Sequence, residues 1–65
     1  MAGRLYRELT RLLRDAGCSF VRQGKGSHEI WYSPITRRHF AIPSNVAKLP
    51  LANAILKQAG LPKAF

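Results

Sequence analysis

The sequence predicts an α+β domain of two layers, α-β-β-β-α, with both helices on one face of a three-stranded antiparallel sheet. Three observations carry that prediction. Leucines recur at helical spacing near both ends of the 65-residue chain. Between them, short runs favouring a pleated surface are separated by turns that contain glycine or proline. The links between those runs are too short for a crossover, so the strands should form an antiparallel meander.

Met1 to Ala16 reads as an amphipathic helix, because Leu5, Leu9, Leu12, Leu13 and Ala16 fall on one face. Arg4, Arg7, Arg11 and Arg14 form a stripe on the opposite side. That stripe is either a solvated face partly paired with Glu8, or one wall of a phosphate-binding surface. Gly17 is placed to stop the helix in the left-handed conformation. Cys18 to Gln23 reads as the first strand, with Phe20 and Val21 as its apolar anchors.

The turn Gln23-Gly24-Lys25-Gly26 leads into a second strand, Ser27–Tyr32. In it His28, Ile30 and Tyr32 share one face, and Glu29 and Trp31 share the other. One of Trp31 and Tyr32 must therefore face the helices, and the other is free to pack a partner or stack on a base. Ser33 to Arg37 is a turn, since Pro34 cannot continue a central strand. Arg38 to Ile42 is a third strand with Phe40 and Ile42 on one face, and Pro43 ends it.

Ser44 to Lys48 is a connector of undefined shape. Pro50 suits the first turn of a second helix, where its missing N–H would be unpaired anyway. Leu51, Ile55, Leu56 and Ala59 form that helix's apolar face, and Gly60 and Pro62 end it. Lys63 to Phe65 is expected to fray. No repeat, low-complexity run or linker divides the sequence, so residues 1–65 read as a single domain. The double-stranded-RNA-binding fold has this order of elements, although order alone identifies no function.

Composition narrows the partners. Lys and Arg number 11 against 3 Asp and Glu, a formal net charge of +8. A polyanion relieves such self-repulsion, and nucleic acid is the first candidate because each phosphate contact releases counterions. An acidic protein or an anionic surface would also satisfy the charge. A domain this short buries only about 60% of its unfolded surface, so its core must be efficient. The lone Cys18 has no disulfide partner, which fits a reducing, cytoplasmic setting. No apolar run approaches a membrane span, and no signal-peptide core is visible.

His28 is the candidate catalytic group. It stands where a glycine turn hands over to a strand, and imidazole both takes and gives a proton near neutrality. Cleaving RNA needs a base to deprotonate the ribose 2′-OH, an acid to protonate the departing 5′ oxygen, and positive charge near phosphorus. Lys25, Gly26 and Ser27 in the glycine turn, with Arg22 on the first strand, Arg37 in the second turn and Arg38 on the third strand, are the candidate RNA contacts. A surface histidine without a task is the alternative. His39, the other imidazole, could be the general acid or a substrate contact, but a structural or incidental role is the preferred reading, since nothing in the sequence fixes its register against His28.

No metal set is apparent, because Glu29 faces away from His28 and no close-spaced ligand pair exists. The acids Glu8, Asp15 and Glu29 offer no triad, and Gly24-Lys25-Gly26-Ser27 lacks the spacing of a nucleotide P-loop. No cofactor is therefore expected.

Several segments together resemble one family. They are Leu9 to Leu13, Ala16-Gly17-Cys18-Ser19-Phe20-Val21-Arg22-Gln23, Gly26-Ser27-His28-Glu29-Ile30-Trp31, Ala41-Ile42-Pro43 and Ile55-Leu56-Lys57-Gln58-Ala59-Gly60-Leu61. In order and spacing they look like the HicA toxins of toxin–antitoxin pairs, over nearly the whole chain. The resemblance implies a double-stranded-RNA-binding-like fold and a small endoribonuclease that cleaves mRNA and inhibits translation. It also implies that the histidine of Gly-Ser-His, here His28, is the single catalytic histidine. The implied partner is a HicB antitoxin that masks this histidine. The chain has Glu29 where many members carry a second histidine, Ser44 where many carry a histidine after the proline, and Pro50-Leu51 in place of a small Gly-Thr-like helix start. A non-catalytic RNA-binding module on the same scaffold, or a subunit that chiefly binds protein, would share the charge and the aromatics.

Overall fold

The computed structural model describes residues 3–65. Its elements are α1 (Arg4–Asp15), β1 (Ser19–Gln23), β2 (His28–Ser33), β3 (Arg38–Pro43) and α2 (Leu49–Gln58), in the predicted order. Met1 and Ala2, which the sequence assigns to the first helix, lie outside the described residues. The strands form one antiparallel sheet in the order β1-β2-β3. This is the double-stranded-RNA-binding-like arrangement, two helices over an open meander.

Strand alternation decides which face is covered. Trp31 and Ser33 on β2, and Phe40 and Ile42 on β3, are buried. They join Leu9 and Leu13 of α1 and Ala52, Ile55, Leu56 and Ala59 at α2 in the buried interior. Each fully buried leucine or isoleucine contributes about 1.5–3 kcal/mol, so this single cluster supplies most of the driving force. The other face carries His28, Ile30 and Tyr32 opposite Pro43, Ala41 and His39. Ala41 and His39 are exposed there, so no helix covers that side.

Both helices end in the same device. At α1 the Gly17 N–H donates to the Arg14 carbonyl and the Cys18 N–H to the Leu13 carbonyl, each at 2.9 Å. At α2 the Gly60 N–H donates to Lys57 and the Leu61 N–H to Leu56, at 3.0 and 2.8 Å. Gly17 and Gly60 take φ of +95° and +89°, which completes two Schellman caps and satisfies carbonyls that the helices leave open.

Four expectations change. Phe20 and Val21 are 48% and 45% exposed rather than core anchors, because β1 is an edge strand with every residue exposed. Cys18 and Val46, just outside the strands, fill core positions instead. Leu51 is exposed and Ala52 takes its place. With Ile55, Leu56 and Ala59 turned inward, position 52 falls at the centre of the stripe and position 51 a quarter-turn off it. The C-terminal tail is pinned. The Asn53 side chain accepts from the Ala64 and Phe65 N–H groups at 3.2 and 3.0 Å and donates to the Phe65 carbonyl at 3.0 Å.

Candidate active site

The loop between β1 and β2 is fastened at several points. The Gly24 N–H donates to the His28 carbonyl at 2.8 Å, and the His28 N–H to the Lys25 carbonyl at 3.1 Å. The Gln23 side-chain amide spans the turn, donating to the carbonyls of Gly26 and His28 at 3.2 and 3.0 Å. From the β3 side, the Ser44 N–H donates to the Ser27 carbonyl at 2.8 Å. Gly26 sits at φ +62°, the left-handed region open to glycine at little cost. A Cβ on Gly24 would stand 3.0 Å from the His28 carbonyl oxygen, so that position keeps the chain close to the imidazole's own backbone. The glycine turn of the sequence is thus a rigid mount for His28.

His28 is exposed at the first position of β2. Its Nδ1 lies 3.3 Å from the Lys25 carbonyl oxygen. A carbonyl only accepts, so this contact is a hydrogen bond when the neutral ring carries its proton on Nδ1, the tautomer that leaves the lone pair on Nε2. The loop thereby favours that tautomer as well as holding the side chain. When Nε2 takes a proton, the same carbonyl faces the cation that forms.

Arg22 reaches the His28 face through a β-bulge. Phe20 pairs with Trp31, whereas Arg22 pairs with Ile30, so the register shifts between them at Val21. Without that extra residue Phe20 and Arg22 would share a face. With it, Arg22 stands on the open face diagonal to His28, at the roughly 7–8 Å typical of such neighbours. Lys25, Gly26 and Ser27 are exposed in the loop itself.

Other candidates are not brought to this end. Arg38 pairs with Ser33, at the far end of β2 and on the helix-covered face, where it stays exposed at the rim. Arg37 occupies the adjoining turn at φ +60°. His39 pairs with Tyr32 while His28 pairs with Pro43. Four residues of strand separate the two imidazoles, about 14 Å, so they do not act on one phosphate together.

Glu29 has a structural task. Its Oε1 accepts the Tyr6 hydroxyl at 2.7 Å and the indole N–H of fully buried Trp31 at 3.0 Å. Burial first, then the hydrogen bond and charge of Glu29, push the Tyr6 phenol up to about 12. Arg14 lies over the Trp31 ring at 5.2 Å, and Phe20 meets the ring edge-on with centroids 6.2 Å apart. The arginine stripe of α1 belongs to this helix layer, where Arg7, Arg11 and Arg14 line a groove beside Tyr6. It is no wall of the His28 face. The Gln23 clamp and the bulge had no signal in the sequence; the alternation of β2 did show that position 29 turns away from position 28. Among the described residues, no three side chains of the metal-ligating types come together.

The profile of the family described as "HicA toxin of bacterial toxin-antitoxin" matches residues 6–61. No curated protein and no solved structure matches the chain. Among the described residues, no helix is long and apolar enough to cross a membrane. The matched span runs from the first helix to the cap of the second and includes the loop that mounts His28. The chain belongs to the HicA family of toxins from bacterial toxin–antitoxin systems.

Proposed function

We propose that this toxin is a metal-independent endoribonuclease that cleaves mRNA with His28 as its single catalytic histidine and so inhibits translation. The observation that carries the reading is the His28–Lys25 contact. It holds an exposed imidazole at the loop–strand junction with its Nε2 lone pair free, in a chain of the toxin family. His28 Nε2 removes the proton from a ribose 2′-OH, the oxygen attacks the adjacent phosphorus, and the bond to the 5′ oxygen breaks, that oxygen taking a proton from solvent water while the imidazolium returns its own to solvent. The chain is left with a 2′,3′-cyclic phosphate and a 5′-hydroxyl end. Lys25, the loop N–H groups around Gly26 and Ser27, and Arg22 hold the phosphate and offset its charge. Arg37, in the turn at the far end of β2, is the candidate contact further along the strand, whereas Arg38 stands on the covered face. Neither His39 nor Glu29 is within reach of that phosphate, so neither provides the leaving oxygen's proton.

A HicB-like antitoxin is the proposed partner, and the cytoplasm, where both it and mRNA are met, the proposed setting. The test is a digest of a defined single-stranded RNA with purified protein in excess EDTA. Cyclic-phosphate ends, and a block by a single 2′-deoxy substitution at the cut site, are expected. RNA that is bound but left intact would make the chain a binding module, and cleavage abolished by EDTA would require a metal.

A further inference from the structure

The open face of the sheet carries an aromatic pair that the cleavage step does not use. Tyr32 and His39 are directly paired across β2 and β3, with ring centroids 5.1 Å apart and planes at 62°. Cross-strand aromatic pairs can serve simply to staple a hairpin. Here that work is already done on the covered face, where Trp31 pairs with Phe40 and both are buried. His39 is exposed and Tyr32 half-buried, on the face that no helix covers. Among the described residues, half-buried Ile30 and exposed Ala41 are the paired open-face positions between this pair and His28, an apolar floor with no charged or aromatic side chain. Arg22 borders that floor from β1.

We propose that Tyr32 and His39 form a stacking platform for an unpaired nucleobase, and hence that the substrate at this site is single-stranded RNA. The inference rests on the reading of the chain as a ribonuclease and adds a second subsite to it. The platform stands about 14 Å along the strand from His28. That length accommodates at most about four nucleotides at the 3.4 Å stacked spacing, and fewer when the strand is extended. A phosphate at His28 and a base on Tyr32 therefore belong to one short stretch. Every base has a π face, so such a platform accepts many sequences but needs a base free of its duplex partner. The fold's likeness to double-stranded-RNA-binding domains does not extend to the ligand.

The test uses fluorescence anisotropy of a short labelled single-stranded RNA, with the His28→Ala protein as parent so that the probe stays intact. Added to that parent, Tyr32→Ala should weaken binding roughly 5- to 100-fold, the range for losing one stacked base. Tyr32→Leu, which keeps apolar bulk for folding, should weaken it similarly, whereas Tyr32→Phe should retain affinity. The slope of log K against log salt should not change, since no phosphate contact is lost. A duplex of the same sequence should bind more weakly than the single strand. Affinity unaltered in both Tyr32→Ala and Tyr32→Leu, or a duplex bound as tightly, overturns the platform while leaving cleavage by His28 standing. Wild-type protein that neither binds nor cuts RNA overturns the ribonuclease reading and the platform together.

Discussion

In Glu29→Ala, the Trp31 indole N–H and the Tyr6 hydroxyl both lose the carboxylate oxygen they share, at 3.0 and 2.7 Å. Trp31 has no exposed surface, so its donor is left unsatisfied, at a cost of about 1–3 kcal/mol. Tyr6 is half-buried and can turn to water, so its loss is about 0.5–1 kcal/mol. Removing the half-buried carboxylate also returns its own desolvation cost, which keeps the net near 2 kcal/mol, roughly. At about 4–8 °C per kcal/mol for a domain of this size, Tm should fall by roughly 8–16 °C. Trp31 is the only tryptophan, so its fluorescence during heating reads the site directly. Glu29→Gln, which keeps an acceptor oxygen, should fall less.

A pH signature accompanies the loss. The Tyr6 phenol is raised from 10.0 to about 12 in the folded state, so the stability it contributes is full below pH 10 and disappears as pH climbs through 12. With Glu29 gone only burial raises the phenol, and this alkaline loss should shrink. Cleavage of RNA below the melting range should stay at the wild-type rate, because Glu29 and His28 point to opposite faces of β2. An unchanged Tm would refute the structural role. Activity lost at a temperature where the variant is fully folded would refute the separation of the two faces.

Gly60→Ala and Gly26→Ala should differ in urea midpoint. At Gly60 the new Cβ lies 2.7 Å from Ile35 Cγ2 in a left-handed conformation, whereas at Gly26 nothing stands within 4 Å. The first should cost roughly 2–3 kcal/mol and the second only the backbone strain of about 1–2 kcal/mol. Equal losses would contradict the close packing of the α2 cap on the turn. Lys25→Ala and Arg22→Ala should each flatten the salt dependence of RNA binding by about 0.7 in slope, one phosphate contact on a single strand. Arg38→Ala should change binding less than Arg22→Ala, and the reverse order would place the strand on the other face.

Much of this molecule was legible in its sequence because the local signals agreed with one another. Apolar spacing marked both helix faces, apart from Leu51 on the second, and Gly17 and Gly60 marked both caps. The alternation from His28 to Tyr32 separated Glu29 and Trp31 from the face of His28, but which of the two faces the helices cover is fixed only by the packing. What escaped depended on register or on distant partners. A bulge adds one residue without changing composition, so nothing in Ser19 to Gln23 announced that Arg22 would join His28's face. The double acceptance at Glu29 needs Tyr6, which is 23 residues away in sequence. Ser33, read as a turn residue, is fully buried and donates to the Ala59 carbonyl at 2.6 Å, a bond set by where α2 ends. The His28–His39 separation likewise had to come from the pairing of β2 with β3.

The central claim is that one imidazole, fixed by the loop it follows, performs the proton transfer. The most direct test compares RNA cleavage by purified wild-type protein and His28→Ala in EDTA, with Trp31 fluorescence reporting that both are folded. Because His28 is exposed and its ring's hydrogen bond among the described residues is to the Lys25 carbonyl, the variant should keep the fold and its affinity for RNA. Its cleavage rate should fall by roughly 10²–10⁴-fold, the range for removing a positioned general base. A folded His28→Ala protein that cut the same bonds at the wild-type rate would contradict the account.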